Sequence, residues 1–131
     1  MIFVDTGARF ASMVPSDANH AAAVAWLNQN QDSLLTTDYV FSETVTLLQA
    51  RNQRRQAEAF GSAVFAGRLT QFHLLTLDEI KAAWQTFLHY GDKTWSFTDC
   101  TSKVVMENLK IQTAFSFDHH FRQFGNVIVV P

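Results

Sequence analysis

"SLLTTDYVFSETVTLLQARN", residues 33–52, changes its hydrophobic period part-way along. Residues 33–38 are a short apolar run closed by Asp38, the pattern of a buried strand. From Tyr39 onward, Val40, Thr44, Leu47 and Leu48 recur three and four positions apart, as on one face of a helix. A strand that passes directly into a helix is the unit from which parallel sheets are built. The same alternation continues in both directions. Upstream, "IFVD" at 2–5 reads as a strand ending in an acid, and Ser16 is an N-cap candidate for a helix over "DANHAAAVAWLNQNQ". Downstream come a helix over 53–67, a strand "QFHLLTL", and a helix "DEIKAAWQTFLHYG" with Asp78 and Glu79 in its first turn and Gly91 at its end. A loop over 92–97 leads to a helix over 98–110. The apolar runs "QTAFSFD" and "NVIVV" follow, separated by a turn or brief helix around "HHFRQFG". The expected class is therefore α/β, a three-layer α/β/α domain with a mostly parallel central sheet of about five short strands. No linker, repeat or low-complexity tract divides the chain, so residues 1–131 are expected to form a single domain.

The 131 residues are 47% hydrophobic, with twelve phenylalanines and three tryptophans against two prolines and five glycines, a composition that buries a real core and excludes disorder. Cys100 is the only cysteine, so an intrachain disulfide or a paired-cysteine zinc knuckle is excluded and a reducing, cytoplasmic setting is expected. Asp5 and Arg9 interrupt the start before a signal-peptide core can form, and "AAAVAWL" is too short to span a bilayer, so no membrane association is expected. The net charge of −2 argues against a broad basic surface. That balance changes if four of the twelve acids share a cation-filled pocket, because ten basic residues then face eight acidic ones.

Those four acids are Asp5, Glu43, Asp99 and Asp118. In an open parallel sheet, ligands bind beyond the carboxyl ends of the strands. Asp5 and Asp118 end strands, and Asp99 opens a helix whose start belongs at the same edge. Glu43 sits about one turn into its helix, three residues after Val40 and four before Leu47, on the stripe expected to face the sheet. Each has an ordinary explanation as well. Asp5 and Asp118 could cap turns, Asp99 completes the capping pattern Ser96-Phe97-Thr98-Asp99, and Glu43 could pair with Arg9 or Arg51. Gathered together, however, four carboxylates repel one another unless protons or a cation intervene. Mg²⁺ or Mn²⁺ prefers such oxygen ligands, and the chemistry indicated is metal-assisted hydrolysis of a phosphodiester.

Other groups carry weaker signals. His89, His119, His120 and Cys100 lack zinc-ligand spacing, and Cys100 has no activating base nearby in sequence. A strand-end acid like Asp5 also occurs in aspartyl-phosphate phosphatases and receivers, but no second acid follows within residues 5–7. Arg51, Arg54 and Arg55 form the densest basic cluster, which reads as solvated surface before it reads as a phosphate contact. Arg9, Lys93 and Arg122 lie near the acids in sequence and are candidate RNA contacts at the groove edge. Trp95 and Phe97 could stack an unpaired base, with Phe97 better suited to the core.

"VDTGARFA", the Glu43 segment "DYVFSETVTLL", "DKTWSFTDCTSKVVMENL" and "AFSFDHHFRQFG" together resemble the PIN domain family, specifically the VapC-type toxins of prokaryotic toxin–antitoxin pairs. The resemblance runs over essentially the whole chain, and "SFTDC" and "FSFDHHF" are its most specific pieces. It implies an endoribonuclease dependent on Mg²⁺ or Mn²⁺, with an acidic quartet at Asp5, Glu43, Asp99 and Asp118 and supporting hydroxyls at Thr6 and Thr98. It also implies a homodimer restrained by a small VapB-type antitoxin. The alternative is a catalytically silent member of the same fold that binds RNA or regulates.

Overall fold

The computed structural model describes residues 1–131. Five strands, β1 (Ile2–Val4), β2 (Leu34–Thr37), β3 (Gln71–His73), β4 (Thr113–Phe115) and β5 (Ile128–Val130), form one sheet in the order β3-β2-β1-β4-β5. Every neighbouring pair is parallel. Six helices connect them: α1 (Thr6–Met13), α2 (His20–Gln29), α3 (Asp38–Ala50), α4 (Arg54–Phe65), α5 (Leu77–His89) and α6 (Phe97–Asn108). A 3₁₀ segment, His119–Phe124, joins β4 to β5.

The strands are short but their alternation is strict, because successive side chains leave a strand on opposite faces. Phe3 and Ala114 point into a core shared with Val40, Ala83, Val104, Val105, Met106 and Phe121. Ile2, Val4 and Phe115 point the other way, onto Ala8, Ala11 and Ala23. Helices thus cover both faces, and the three-layer α/β/α architecture expected from the alternating periods is the one observed. A third apolar cluster, with Phe10, Val14, Leu48 and Ala57, ties α1 to α3 and α4.

Three departures from the sequence reading have local causes. Residues 6–13 form a helix that the sequence reading did not assign; its eight residues include Gly7 and a buried Arg9, which obscure the apolar face made by Ala8, Phe10 and Ala11. The next helix begins at His20 and not after Ser16, because Asp17 Oδ1 accepts a hydrogen bond from the Asn19 backbone N–H at 2.8 Å and holds 17–19 in a turn. The third strand also stops earlier than expected, at His73. Thr76 leaves the strand to cap α5, with its hydroxyl and the Glu79 carboxylate exchanging hydrogen bonds with each other's backbone N–H.

The sheet order fixes where a ligand can enter. The chain runs outward from β1 to β3 on one side and from β4 to β5 on the other, so the direction of winding reverses between β1 and β4. The crevice beyond the carboxyl ends of those two strands is the switch point of the fold.

Candidate active site

Asp5 leaves β1 at this crevice and is the N-cap of α1. Its Oδ1 accepts the Thr6 backbone N–H at 2.8 Å, and its Oδ2 accepts the Ser116 hydroxyl at 2.9 Å. The same Ser116 oxygen accepts the Asp118 backbone N–H at 3.0 Å, so one hydroxyl joins the acid after β1 to the acid after β4. Asp118 in turn caps the 3₁₀ segment, its Oδ1 accepting the His120 N–H at 2.9 Å.

Asp99 stands in the first turn of α6. Ser96 and Asp99 form a reciprocal capping box, each side chain accepting the other's backbone N–H at 3.0 Å. Asp99 Oδ2 also lies 3.0 Å from Nδ1 of His120, whose Nε2 lies 2.9 Å from the Thr94 hydroxyl. The ring stands 3.4 Å from Asp118 Oδ1 as well, so it lies between two of the acids. Capping and site membership are compatible for Asp99, because its Oδ1 accepts no hydrogen bond and the residue lines the cavity it shares with the other acids.

Glu43 completes the set. Asp5, Glu43, Asp99 and Asp118 all line one cavity of about 540 Å³. The expected burial of Glu43 against the sheet is not seen. Val40, Thr44 and Leu48 take the core-facing stripe of α3, and Glu43 lies half-buried on the adjacent ridge with Leu47 and Arg51. Neither Arg9 nor Arg51 forms an ion pair with it, and both its carboxylate oxygens are free of protein donors.

The electrostatics follow from this crowding. Burial pushes the Asp5 carboxyl up from 3.8 to about 7; the Ser116 hydrogen bond opposes the rise, while the negative charges of Asp99 and Asp118 add to it. Beside it, the Thr6 hydroxyl is buried without a hydrogen-bond partner. A carboxylate held near its proton, an orphaned hydroxyl, and free oxygens on Asp99, Asp118 and Glu43 form a donor set suited to a hard divalent cation such as Mg²⁺ or Mn²⁺. The cluster of Asp118, His119 and His120 also has ligand atoms within 4.8 Å of one another, but Asp118 already belongs to the carboxylate set.

The remaining sequence candidates separate. Thr6 lines the cavity; Thr98 does not, and its carbonyl accepts the Thr101 and Ser102 hydroxyls. Arg9 is not at the groove edge: it is 4% exposed, with its guanidinium 6.0 Å from the centroid of the Phe60 ring. Position 9 falls on the face of α1 that packs toward α4, and burial lowers its pKa to about 10. Lys93 and Arg122 are exposed but off the cavity wall, Lys93 lying 3.8 Å from Asp92. Trp95 is core, its indole N–H donating to Gln123 at 2.7 Å, and Phe97 is half-buried against Tyr39. Ser116, which bridges Asp5 and Asp118, is the residue that sequence reasoning missed, and His120, set aside there as a zinc ligand, lines the cavity beside Asp99. Each lies two positions from Asp118, a spacing that could have drawn attention to both.

The PIN domain family model matches residues 2–127. The 23S rRNA-specific endonuclease VapC20 of Mycobacterium tuberculosis, strains CDC 1551 / Oshkosh and ATCC 25618 / H37Rv, is 34% identical over 131 residues, which is 100% of this chain and 99% of the relative. The crystal structure of M. tuberculosis VapC20, described as a sarcin–ricin loop cleaving toxin, superimposes with a TM-score of 0.92 at 32% identity over 100% of both chains.

Proposed function

Because the chain belongs to the PIN domain family, we propose that it is a single-domain, Mg²⁺- or Mn²⁺-dependent endoribonuclease, the toxin of a VapB–VapC-type pair, acting on 23S ribosomal RNA at the sarcin–ricin loop. The observation that carries this reading is the convergence of Asp5, Glu43, Asp99 and Asp118 on one cavity wall. A divalent cation held by Asp5, Asp99, Asp118 and Glu43 would supply positive charge and lower the pKa of a water, which would make hydrolysis at neutral pH accessible.

The protein's own residues supply position. Ser116 holds Asp5 and Asp118 at a fixed separation, and His120, itself anchored on Thr94, fixes the orientation of Asp99. These contacts leave Asp99 Oδ1, Asp118 Oδ2 and the whole Glu43 carboxylate without a protein donor, on residues that all line the cavity. Glu43, which lines the same cavity and is free of protein donors, would orient a water toward a phosphate and accept its proton. In-line attack by water leaves 5′-phosphate and 3′-hydroxyl ends.

The proposed setting is the cytoplasm, and the proposed protein partners are a second copy of the chain and a small antitoxin. No helix is long and apolar enough to cross a membrane. Leu77, Trp84 and Leu88 on α5 offer exposed apolar surface to a partner. The silent RNA-binding alternative is disfavoured by the presence of all four acids. The test is incubation of the purified protein with ribosomal RNA and Mg²⁺ or Mn²⁺, followed by mapping of the cut ends. Loss of cutting with chelator and with Asp99→Ala is expected; cyclic-phosphate ends or cutting that persists in chelator would refute the reading.

A further inference from the structure

The carboxylates that make the cavity suitable for a cation make it a poor place for RNA, since every phosphate brings another negative charge. Only one lysine or arginine lines the same cavity: Arg51, at the C-cap of α3. Its guanidinium makes no ion pair or hydrogen bond with the protein, and the residue is exposed. The other two arginines of the cluster differ. Arg54 is engaged, with Nε 3.2 Å from Glu58 Oε1 and Nη1 3.1 Å from Gln49 Oε1, and Arg55 lies off the cavity wall.

Glu43, Leu47 and Arg51 follow one another at four-residue intervals on one ridge of α3. Eight residues of helix span about 12 Å along its axis. Successive phosphates of an RNA strand are spaced at roughly half that reach, so a strand whose cut phosphate sits by the carboxylates passes Arg51 about two nucleotides away. Leu47, between the two, gives the intervening ribose or base an uncharged surface. Arginine suits this role because its planar fork of N–H donors matches a phosphate bidentately.

We propose that Arg51 is a phosphate-positioning residue that grips the RNA backbone about two nucleotides from the cut, offsetting the repulsion of the carboxylate cluster; this rests on the ribonuclease reading. Register along the groove then comes from a charge pair set by helix pitch: acids and cation at one end, guanidinium at the other.

The test combines Arg51→Ala with an RNA hairpin carrying one neutral methylphosphonate at each position in turn. Cleavage is read in Mg²⁺ and binding in Ca²⁺, which takes oxygen ligands as well. Arg51→Ala is expected to raise KM about tenfold with kcat within about twofold, and to flatten the log–log salt dependence of binding by roughly one phosphate contact. A methylphosphonate at a single site about two nucleotides from the cut should weaken the wild type by a similar factor and leave Arg51→Ala no weaker than it already is. Arg51→Lys should recover part of the affinity, and Arg54→Ala should behave as wild type. The proposal is overturned if Arg51→Ala binds within about twofold of wild type, or if every methylphosphonate weakens both proteins equally. Binding without cleavage in Mg²⁺ would remove the nuclease reading while the binding cycle still decides Arg51; failure to bind RNA at all would remove both.

Discussion

Replacing Asp5 by asparagine should stabilise the cation-free protein in neutral and alkaline solution while abolishing cleavage. The unfolded carboxyl ionises near 3.8 and the folded one near 7. Between those values the folded state holds the extra proton, so stability falls as pH rises through the window and the full penalty is present above it. A shift of roughly 3 units corresponds to about 4 kcal/mol. Asparagine removes the charge and keeps an oxygen for the Thr6 N–H, but it forfeits one charge-assisted hydrogen bond from Ser116, which costs about 1–2 kcal/mol. The net gain at pH 8 is about 2–3 kcal/mol, and the gap between mutant and wild type should widen by nearly 3 kcal/mol from pH 5 to pH 8. Urea denaturation in chelator at several pH values measures this gap directly. Adding Mg²⁺ or Mn²⁺ should raise the wild-type midpoint far more than that of Asp5→Asn. A gap that does not change with pH, or a mutant less stable than wild type at pH 8, would refute the assignment of Asp5 as a crowded, buried carboxyl.

The other expectations concern separate parts of the molecule. Phe121→Ala, which empties a fully buried ring site against Phe3 and Phe124, should cost about 3–5 kcal/mol in a urea titration. Asp99→Ala should lose about 1–2 kcal/mol through the broken capping box as well as all cleavage, whereas Asp99→Asn, which keeps an oxygen for the Ser96 N–H, should lose the cleavage alone. Arg9→Met should raise stability at pH 7 by about 2 kcal/mol, because it removes a buried guanidinium that has no hydrogen bond while retaining apolar contact with Phe60. That gain should shrink as pH rises through 10 into more strongly alkaline solution, where the wild-type penalty disappears.

The acids were legible because each sits at a punctuation point of the fold: the end of β1, the first turn of α6, the end of the run after β4. Strand-end and helix-start positions are local properties, and the rule that parallel sheets bind at their carboxyl edge turns them into a shared location. Glu43 was found on the right helix but on the wrong ridge, since positions three and four apart both satisfy a helical stripe and only packing chooses between them. Arg9 was misplaced for a related reason. Its partner ring, Phe60, is fifty-one positions away, and sequence proximity to Asp5 says nothing about which face of α1 is covered. The roles of Ser116 and His120 depend on distances between segments that meet only in the folded chain, so their residue types alone could not reveal them.

The hydrogen bond from Ser116 to Asp5 bridges 111 positions of sequence. A translating ribosome delivers Asp5 among the first residues and Asp118 only long afterwards, and the central strand β4 must then slot in beside β1 before the two acids can meet. The carboxylate set is consequently incomplete until synthesis has passed residue 118, so on the proposed ribonuclease reading the machine that makes this chain is spared throughout most of its production.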